Sequence, residues 1–293
     1  MKADPLSGKN VKQLLEEGIQ FFAERRIEPA KLLAERLLEG LLECQRFELY
    51  LNCERSLAAE QVETYLSYLK KRAEGFPAQY ILGRADFMDF TFQVNPSVLI
   101  PRPETEFLVE KVLEKLRQAR LMTKELRILD VGTGSGNIAI SLASYLPKAS
   151  VWAVDISDGA LETARLNAMR QEVAHRIRFV KSDGLAVLGE EEVFDLIVSN
   201  PPYLSEKEMR EIPVEVRQEP SAALLGGKNG TEFIERLSRD AFCHLNDGGM
   251  LFFEMGYEQG NDAARILRKT GWNYFEIFKD YNGHDRVAAA LKL

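Results

Sequence analysis

The chain is 293 residues long, 45% apolar and 28% charged, which suggests one large or two ordinary domains with ample core. A net charge of −7 argues against a broad phosphate-neutralising surface, and hence against a stable nucleic-acid partner, while leaving room for a local basic groove. Three cysteines (Cys44, Cys53, Cys243) have no CxxC spacing and three histidines (His175, His244, His284) are scattered. Neither a disulfide framework nor a metal site is expected from them.

Met1 to Asn10 is polar, with no apolar leader, and no run approaches membrane-spanning length. A cytoplasmic protein without a membrane partner is expected. Val11, Leu14, Leu15, Gly18, Ile19 and Phe22 follow the spacing of one helix face. Pro29 stands where a second helix can start, followed by Leu33, Ala34, Leu37 and Leu41. Ser56 is the expected N-cap of a third long helix that turns Val62, Tyr65, Leu66 and Leu69 inward. Residues 1–75 thus read as a small helical bundle. Gly75 ends it, and residues 76–104 form a linker in which Phe87, Phe90, Phe92 and Val94 suggest a hairpin closed by Asn95-Pro96.

From residue 105 to 293 helices and strands alternate. The expected strands are 127–131, 150–154, 176–180, 194–199, 249–254, 273–278 and 286–292, with helical segments between the first five. That pattern gives βαβ units, so the fold class is α/β: a Rossmann-like, seven-stranded, mostly parallel sheet with one antiparallel strand near the end.

Asp130-Val131 closes the first of these strands and enters Gly132-Thr133-Gly134-Ser135-Gly136, ahead of the apolar helix from Ile138 to Leu142. Glycines allow a sharp turn and close backbone approach, and the helix N-terminus offers free N–H groups. Asp155, at the end of the second strand, suits a ribose diol. Asn137 stands where a dinucleotide fingerprint wants its third glycine, a departure that favours S-adenosylmethionine over NAD. Asp183 and Gly184 follow the third strand, where a carboxylate can accept from an adenine amino group. The plainer alternatives are helix capping, by Asp155 near Asp158 and by Ser182 or Asp183 after the third strand.

The fourth strand ends in Asn200-Pro201-Pro202-Tyr203. Two prolines fix φ, remove two backbone donors and press the preceding residues into extended geometry. The resulting corner fits a flat, conjugated –NH2 group: the Asn200 amide oxygen and a proline carbonyl accept its two protons while the Tyr203 ring covers its face. The plainer alternatives are an ordinary loop and, for Tyr203, core packing. Glu254 and Arg286 read as structural.

These residues resemble the release-factor glutamine methyltransferases. The resemblance runs from about residue 75 to the C-terminus. It is carried by Pro77-Ala78-Gln79-Tyr80-Ile81-Leu82-Gly83, Ile100-Pro101-Arg102-Pro103-Glu104-Thr105-Glu106, the Asp130 to Gly136 turn and Ser199 to Tyr203. Glu219-Pro220, Gly226-Gly227 and the tail Asp280, Gly283, Arg286 add to it. It implies methyl transfer from S-adenosylmethionine, leaving S-adenosylhomocysteine and using no metal. The acceptor it implies is the glutamine of the Gly-Gly-Gln motif in peptide chain release factors. Gly132 to Gly136, Asp155, Asp183, Gly184 and Asn200 would then bind the cofactor, and Asn200 to Tyr203 the glutamine. Residues 1–75 would recognise the partner. Relatives often carry a bulky side chain where this chain has Gly184, so Leu185 is the expected packing surface for the adenine. Two other functions fit the same motifs: N-methylation of exocyclic amines in DNA or RNA bases, and a non-catalytic cofactor- or translation-factor-binding module.

Overall fold

The computed structural model describes residues 8–293, so most of the polar stretch Met1 to Asn10 lies outside the described residues. The chain forms two compact units. One runs to Gly83 and takes in Val214–Gln218; the other comprises Arg84–Pro213 and Glu219–Leu293.

In the first unit α1 (Val11–Glu24) is capped by the Asn10 side chain, which accepts from the Gln13 N–H at 2.9 Å. α2 (Ala30–Leu42) follows Pro29, and a short α3 (Arg46–Leu51) comes next. The third long helix, α4 (Ala59–Ala73), begins after Ala58 and not at the expected Ser56, which instead bridges Asn10. That backbone pairing holds Ser56 extended, two residues too early to cap. Gly18 is required by packing, since a Cβ there would lie 2.2 Å from the Tyr65 hydroxyl. That hydroxyl donates to the Ala34 carbonyl across the bundle at 3.0 Å. Buried Arg72 pairs with Glu215, which ties Val214–Gln218 into this unit. α5 (Ala78–Leu82) ends at Gly83, whose φ of +70° closes it in the left-handed region.

The second unit opens with the expected hairpin, β1 (Arg84–Phe87) and β2 (Phe90–Gln93). Then follow α6 (Pro103–Gln118), β3 (Arg127–Val131), α7 (Asn137–Tyr145), β4 (Ser150–Asp155), α8 (Asp158–Arg170), β5 (Ile177–Lys181) and β6 (Phe194–Ser199). Next come β7 (Leu204–Ser205), α9 (Glu208–Glu211), β8 (Leu225–Gly227), α10 (Glu232–Cys243), β9 (Leu245–Glu254), α11 (Gly260–Lys269), β10 (Tyr274–Lys279) and β11 (Asp285–Leu291). The seven-stranded sheet has the order β10-β11-β9-β6-β3-β4-β5, with β11 antiparallel to both neighbours and the other pairings parallel. Every expected strand is present within a residue or two, except that β9 reaches back to Leu245. The helix expected between β5 and β6 is absent: residues 182–193 are turns and coil. Twelve residues that must also turn at Gly184, with φ +59°, leave little length for one.

Both faces of the sheet are covered, which explains why its strands read as continuous apolar runs. Ile128, Leu196, Val198 and Phe252 pack on one face with α6, α7 and α8; Leu129, Ile197, Leu251 and Phe253 pack on the other with α10 and α11. The C-terminal ends of β3, β4, β5 and β6 therefore share one edge, where a crevice opens at the reversal of strand order. Among the described residues no helix is long and apolar enough to cross a membrane.

Candidate active site

At that edge lies a cavity of about 320 Å³, within the range of small-molecule sites. Its wall contains Gly132, Thr133, Gly134, Ser135, Asp155, Asp183, Gly184, Asn200 and Pro202. Of the expected site residues, Gly136, Pro201 and Tyr203 do not line it.

The glycine loop owes its shape to left-handed backbone, with φ of +74°, +55° and +82° at Gly132, Gly134 and Gly136. The N–H groups of Gly132 and Thr133 both donate to the Val154 carbonyl at 2.9 Å, which stitches the loop to the end of β4. Nothing lies within 4 Å of a Cβ built on Gly132 or Gly134, so the backbone there faces open space. Gly136 differs: a Cβ would meet Ile140 and Ala164 at 2.9 and 3.1 Å, so this glycine lets α7 pack on α8. Beneath the loop, fully buried Asp130 accepts from the Thr133 hydroxyl at 2.6 Å and the Ala139 N–H at 3.2 Å. Burial pushes its carboxyl up to about 7.

Asp155 accepts from the Gly134 N–H through Oδ2 and from the Ser157 N–H through Oδ1, each at 2.9 Å. It is not the helix cap, because the Ser157 side chain caps α8 by accepting from the Ala160 N–H. Burial raises its pKa, opposed by those backbone bonds. Each oxygen keeps a lone pair for a further donor. Asp183 caps nothing either, since no helix follows it. Both its oxygens take bonds from Arg236 on α10, at 3.0 and 2.6 Å, and these hold its pKa low.

Leu185 does not face the cavity. The left-handed turn at Gly184 sends it into the core beside Val131, Val154 and Phe194. The wall next to Gly184 is built by Arg236 and Phe233, with the guanidinium 4.9 Å from the Phe233 ring centroid. A Cβ on Gly184 would lie 3.6 Å from that guanidinium. Arg236 thus occupies the side of Gly184 where a bulkier residue would project. Ile156, 54% exposed, adds an apolar surface to the same wall. Sequence reading missed Phe233 and Arg236. Their i, i+3 spacing on α10 is the one local signal, and it is shared by any helix face.

Asn200 donates through Nδ2 to the Thr105 hydroxyl oxygen at 2.8 Å, and that hydroxyl donates to Glu254 at 2.7 Å. The Tyr203 hydroxyl donates to the other Glu254 oxygen at 3.3 Å, with its ring packed against the core under α10 and α11. Behind the corner, β7 pairs with β8. A Cβ on Gly226 would fall 2.5 Å from the Pro202 carbonyl oxygen and 2.8 Å from the Tyr203 Cα, so only glycine fits. The strap that leads into α6 is anchored as well: Glu219 accepts from the Ile100 N–H at 3.2 Å and pairs with Arg102. Among the described residues no group of three or more His, Cys, Asp or Glu is arranged to hold a metal ion.

Residues 13–83 match the family model for the PrmC N-terminal domain, and residues 104–222 match the methyltransferase small domain. A release factor glutamine methyltransferase of Chlorobaculum tepidum is 42% identical over 96% of this chain and 97% of its own length. One of Vibrio cholerae is 44% identical over 75% of this chain and 74% of its own. A solved methyltransferase from Pyrococcus furiosus, 22% identical, superposes with a TM-score of 0.53 over 80% of this chain and 100% of that one, a likeness of fold. The chain belongs to the release factor glutamine methyltransferase family and is an enzyme that draws its methyl group from S-adenosylmethionine.

Proposed function

We propose that this enzyme methylates the side-chain amide nitrogen of the glutamine in the Gly-Gly-Gln motif of peptide chain release factors. One observation carries the reading. The cavity that holds the open glycine loop and Asp155 is closed on another side by Asn200 and Pro202, so a cofactor cradle and an amide-binding corner share one space.

The residues fit S-adenosylmethionine. Gly132 and Gly134 leave room for close backbone approach, Asp155 is fixed with lone pairs free for ribose hydroxyls, and Ile156, Phe233 and Arg236 make a wall suited to a purine. Bound there, the cofactor supplies an electrophilic methyl group on a sulfonium centre.

The chain's own residues prepare the nucleophile. An amide nitrogen is a poor one, because its lone pair is delocalised into the carbonyl. Asn200 Oδ1 accepts one N–H of the substrate amide. The carbonyl of Pro201, which does not itself line the cavity but stands between the wall residues Asn200 and Pro202, accepts the other. The Pro202 carbonyl faces Gly226, which leaves that of Pro201 for the role. Accepting both protons aligns the nitrogen and stabilises the positive charge that develops on it during attack. Positioning of this kind lowers a barrier by roughly 7–11 kcal/mol in favourable cases. The proton then leaves from an acidified nitrogen, so no strong base is needed beforehand.

The test is transfer of labelled methyl to a purified release factor, with a Gly-Gly-Ala variant and duplex DNA alongside. Label on the wild-type factor alone is expected, and Asn200→Ala should abolish it while leaving much of the cofactor affinity. Label on DNA, or equal label on the Gly-Gly-Ala factor, would overturn the reading.

A further inference from the structure

An asparagine amide has two ends of nearly the same shape and opposite chemistry, and only the oxygen end serves the proposed reaction. Something must decide which end faces the substrate. Asn200 follows β6, Thr105 sits in the first turn of α6 with 1% exposure, and Glu254 ends β9 at 0%. β6 and β9 are paired neighbours with Ser199 opposite Phe253, so Asn200 and Glu254 leave the same sheet edge side by side. Thr105 bridges them, with 2.8 Å to Asn200 Nδ2 and 2.7 Å to Glu254 Oε2.

The hydrogen-bond inventory leaves one arrangement. A carboxylate only accepts, so the Thr105 hydroxyl must donate its single proton to Glu254. The Thr105 oxygen can then only accept from Asn200, which must present its NH2 to threonine and its Oδ1 to the opposite side. Tyr203 donates to the second carboxylate oxygen and holds Glu254 from turning. We propose that Thr105 and Glu254 are positioning residues that fix the orientation of the Asn200 amide, so that its oxygen faces the substrate. The proposal rests on the reading of Asn200 as acceptor for the substrate amide. Donation along the chain toward the carboxylate also polarises the Asn200 amide and places more negative charge on Oδ1.

The arrangement needs Glu254 ionised. Burial pushes its carboxyl up to about 7, opposed by the Thr105 bond and by Arg286 on β11, and reinforced by Glu104 on α6. Once protonated, Glu254 donates to Thr105, whose hydroxyl is then free to donate to Asn200 Oδ1. The amide turns over and offers the substrate an NH2 that cannot accept. Turnover should therefore fall as pH drops through about 7.

Methyl transfer to a release factor would be followed across pH in wild type, Thr105→Ser, Thr105→Val and Glu254→Gln, with cofactor affinity measured by calorimetry and Asn200→Ala as reference. Thr105→Val, isosteric but without the hydroxyl, should lose kcat by roughly 10²-fold with cofactor affinity little changed. Thr105→Ser should restore most of it, and the acid limb should vanish in both Thr105→Val and Glu254→Gln. Wild-type kcat in Thr105→Val would overturn the proposal. So would a Thr105→Ser variant as impaired as Thr105→Val, or a joint loss of cofactor affinity, each the mark of a merely structural role. Persistence of activity in Asn200→Ala would instead remove the underlying reading of the corner.

Discussion

Around Gly132 and Gly134 the space where a Cβ would stand is empty out to 4 Å, whereas a Cβ on Gly226 or Gly230 would lie 2.5 Å from a backbone carbonyl oxygen, that of Pro202 or of Tyr203. The first pair leaves room for a ligand; the second lets protein backbone close up behind the amide corner. Both regions rest on a buried carboxylate, Asp130 under the loop and Glu254 behind the corner. In the loop the carboxylate holds backbone and a hydroxyl, and in the corner it accepts from the Thr105 and Tyr203 hydroxyls, the first of which accepts from Asn200. Glycine thus marks absence of contact in one place and close backbone packing in the other.

Gly226→Ala should separate the two regions most clearly. The groups it would strike are backbone atoms at 2.5 to 2.8 Å and cannot rotate aside. Overpacking costs about 1–3 kcal/mol or more, and displacement of the corner should cut kcat by roughly 10²-fold. Cofactor affinity should hardly change. Steady-state kinetics with a urea midpoint would check it, and wild-type kcat would show that the corner tolerates the shift.

Gly134→Ala should show the opposite pattern. The φ of +55° costs an alanine about 1 kcal/mol, so stability should fall only slightly. The new methyl stands in the open space where the proposed reading seats the cofactor, and affinity should drop by roughly tenfold or more, the equivalent of about 1.4 kcal/mol. Calorimetry with S-adenosylmethionine decides the matter. An unchanged affinity with lowered kcat would merge the two regions into one.

Much of this was legible in the sequence because it is local. Apolar runs flanked by turns placed all seven strands, and the Gly132 to Gly136 and Asn200 to Tyr203 motifs carried their own turn chemistry. Failures came where distant residues decide. Ser56 looks like a cap until its backbone bridges Asn10, and 182–193 lacks a helix because the turn at Gly184 consumes the connection. Phe233 and Arg236 lie about fifty residues beyond the loop they complete. Thr105 stood inside a recognised segment, yet its partners Asn200 and Glu254 are 95 and 149 positions away. Which side chains meet across a sheet edge depends on register and strand order, which no single-chain spacing contains.

The smallest effect compares the two buried acids through stability. Asp130 is pushed up to about 7 in the folded chain from an ordinary value of 3.8. Between those values the native state keeps a proton that the unfolded chain has released. Stability therefore falls as pH rises through that window and levels off above about 7. Glu254, pushed up to about 7 from 4.5, contributes with the same sign. Asp130→Asn retains an oxygen for Thr133 and Ala139 but cannot ionise, so it removes one of the two contributions. Urea midpoints at intervals from pH 5 to 8 should show the wild type losing stability with rising pH. The variant should lose less, by up to about 1.4 kcal/mol per pH unit. Parallel curves would mean that Asp130 is ionised throughout. The loop would then sit on a buried charge, and the two carboxylates would differ in protonation as well as in what they hold.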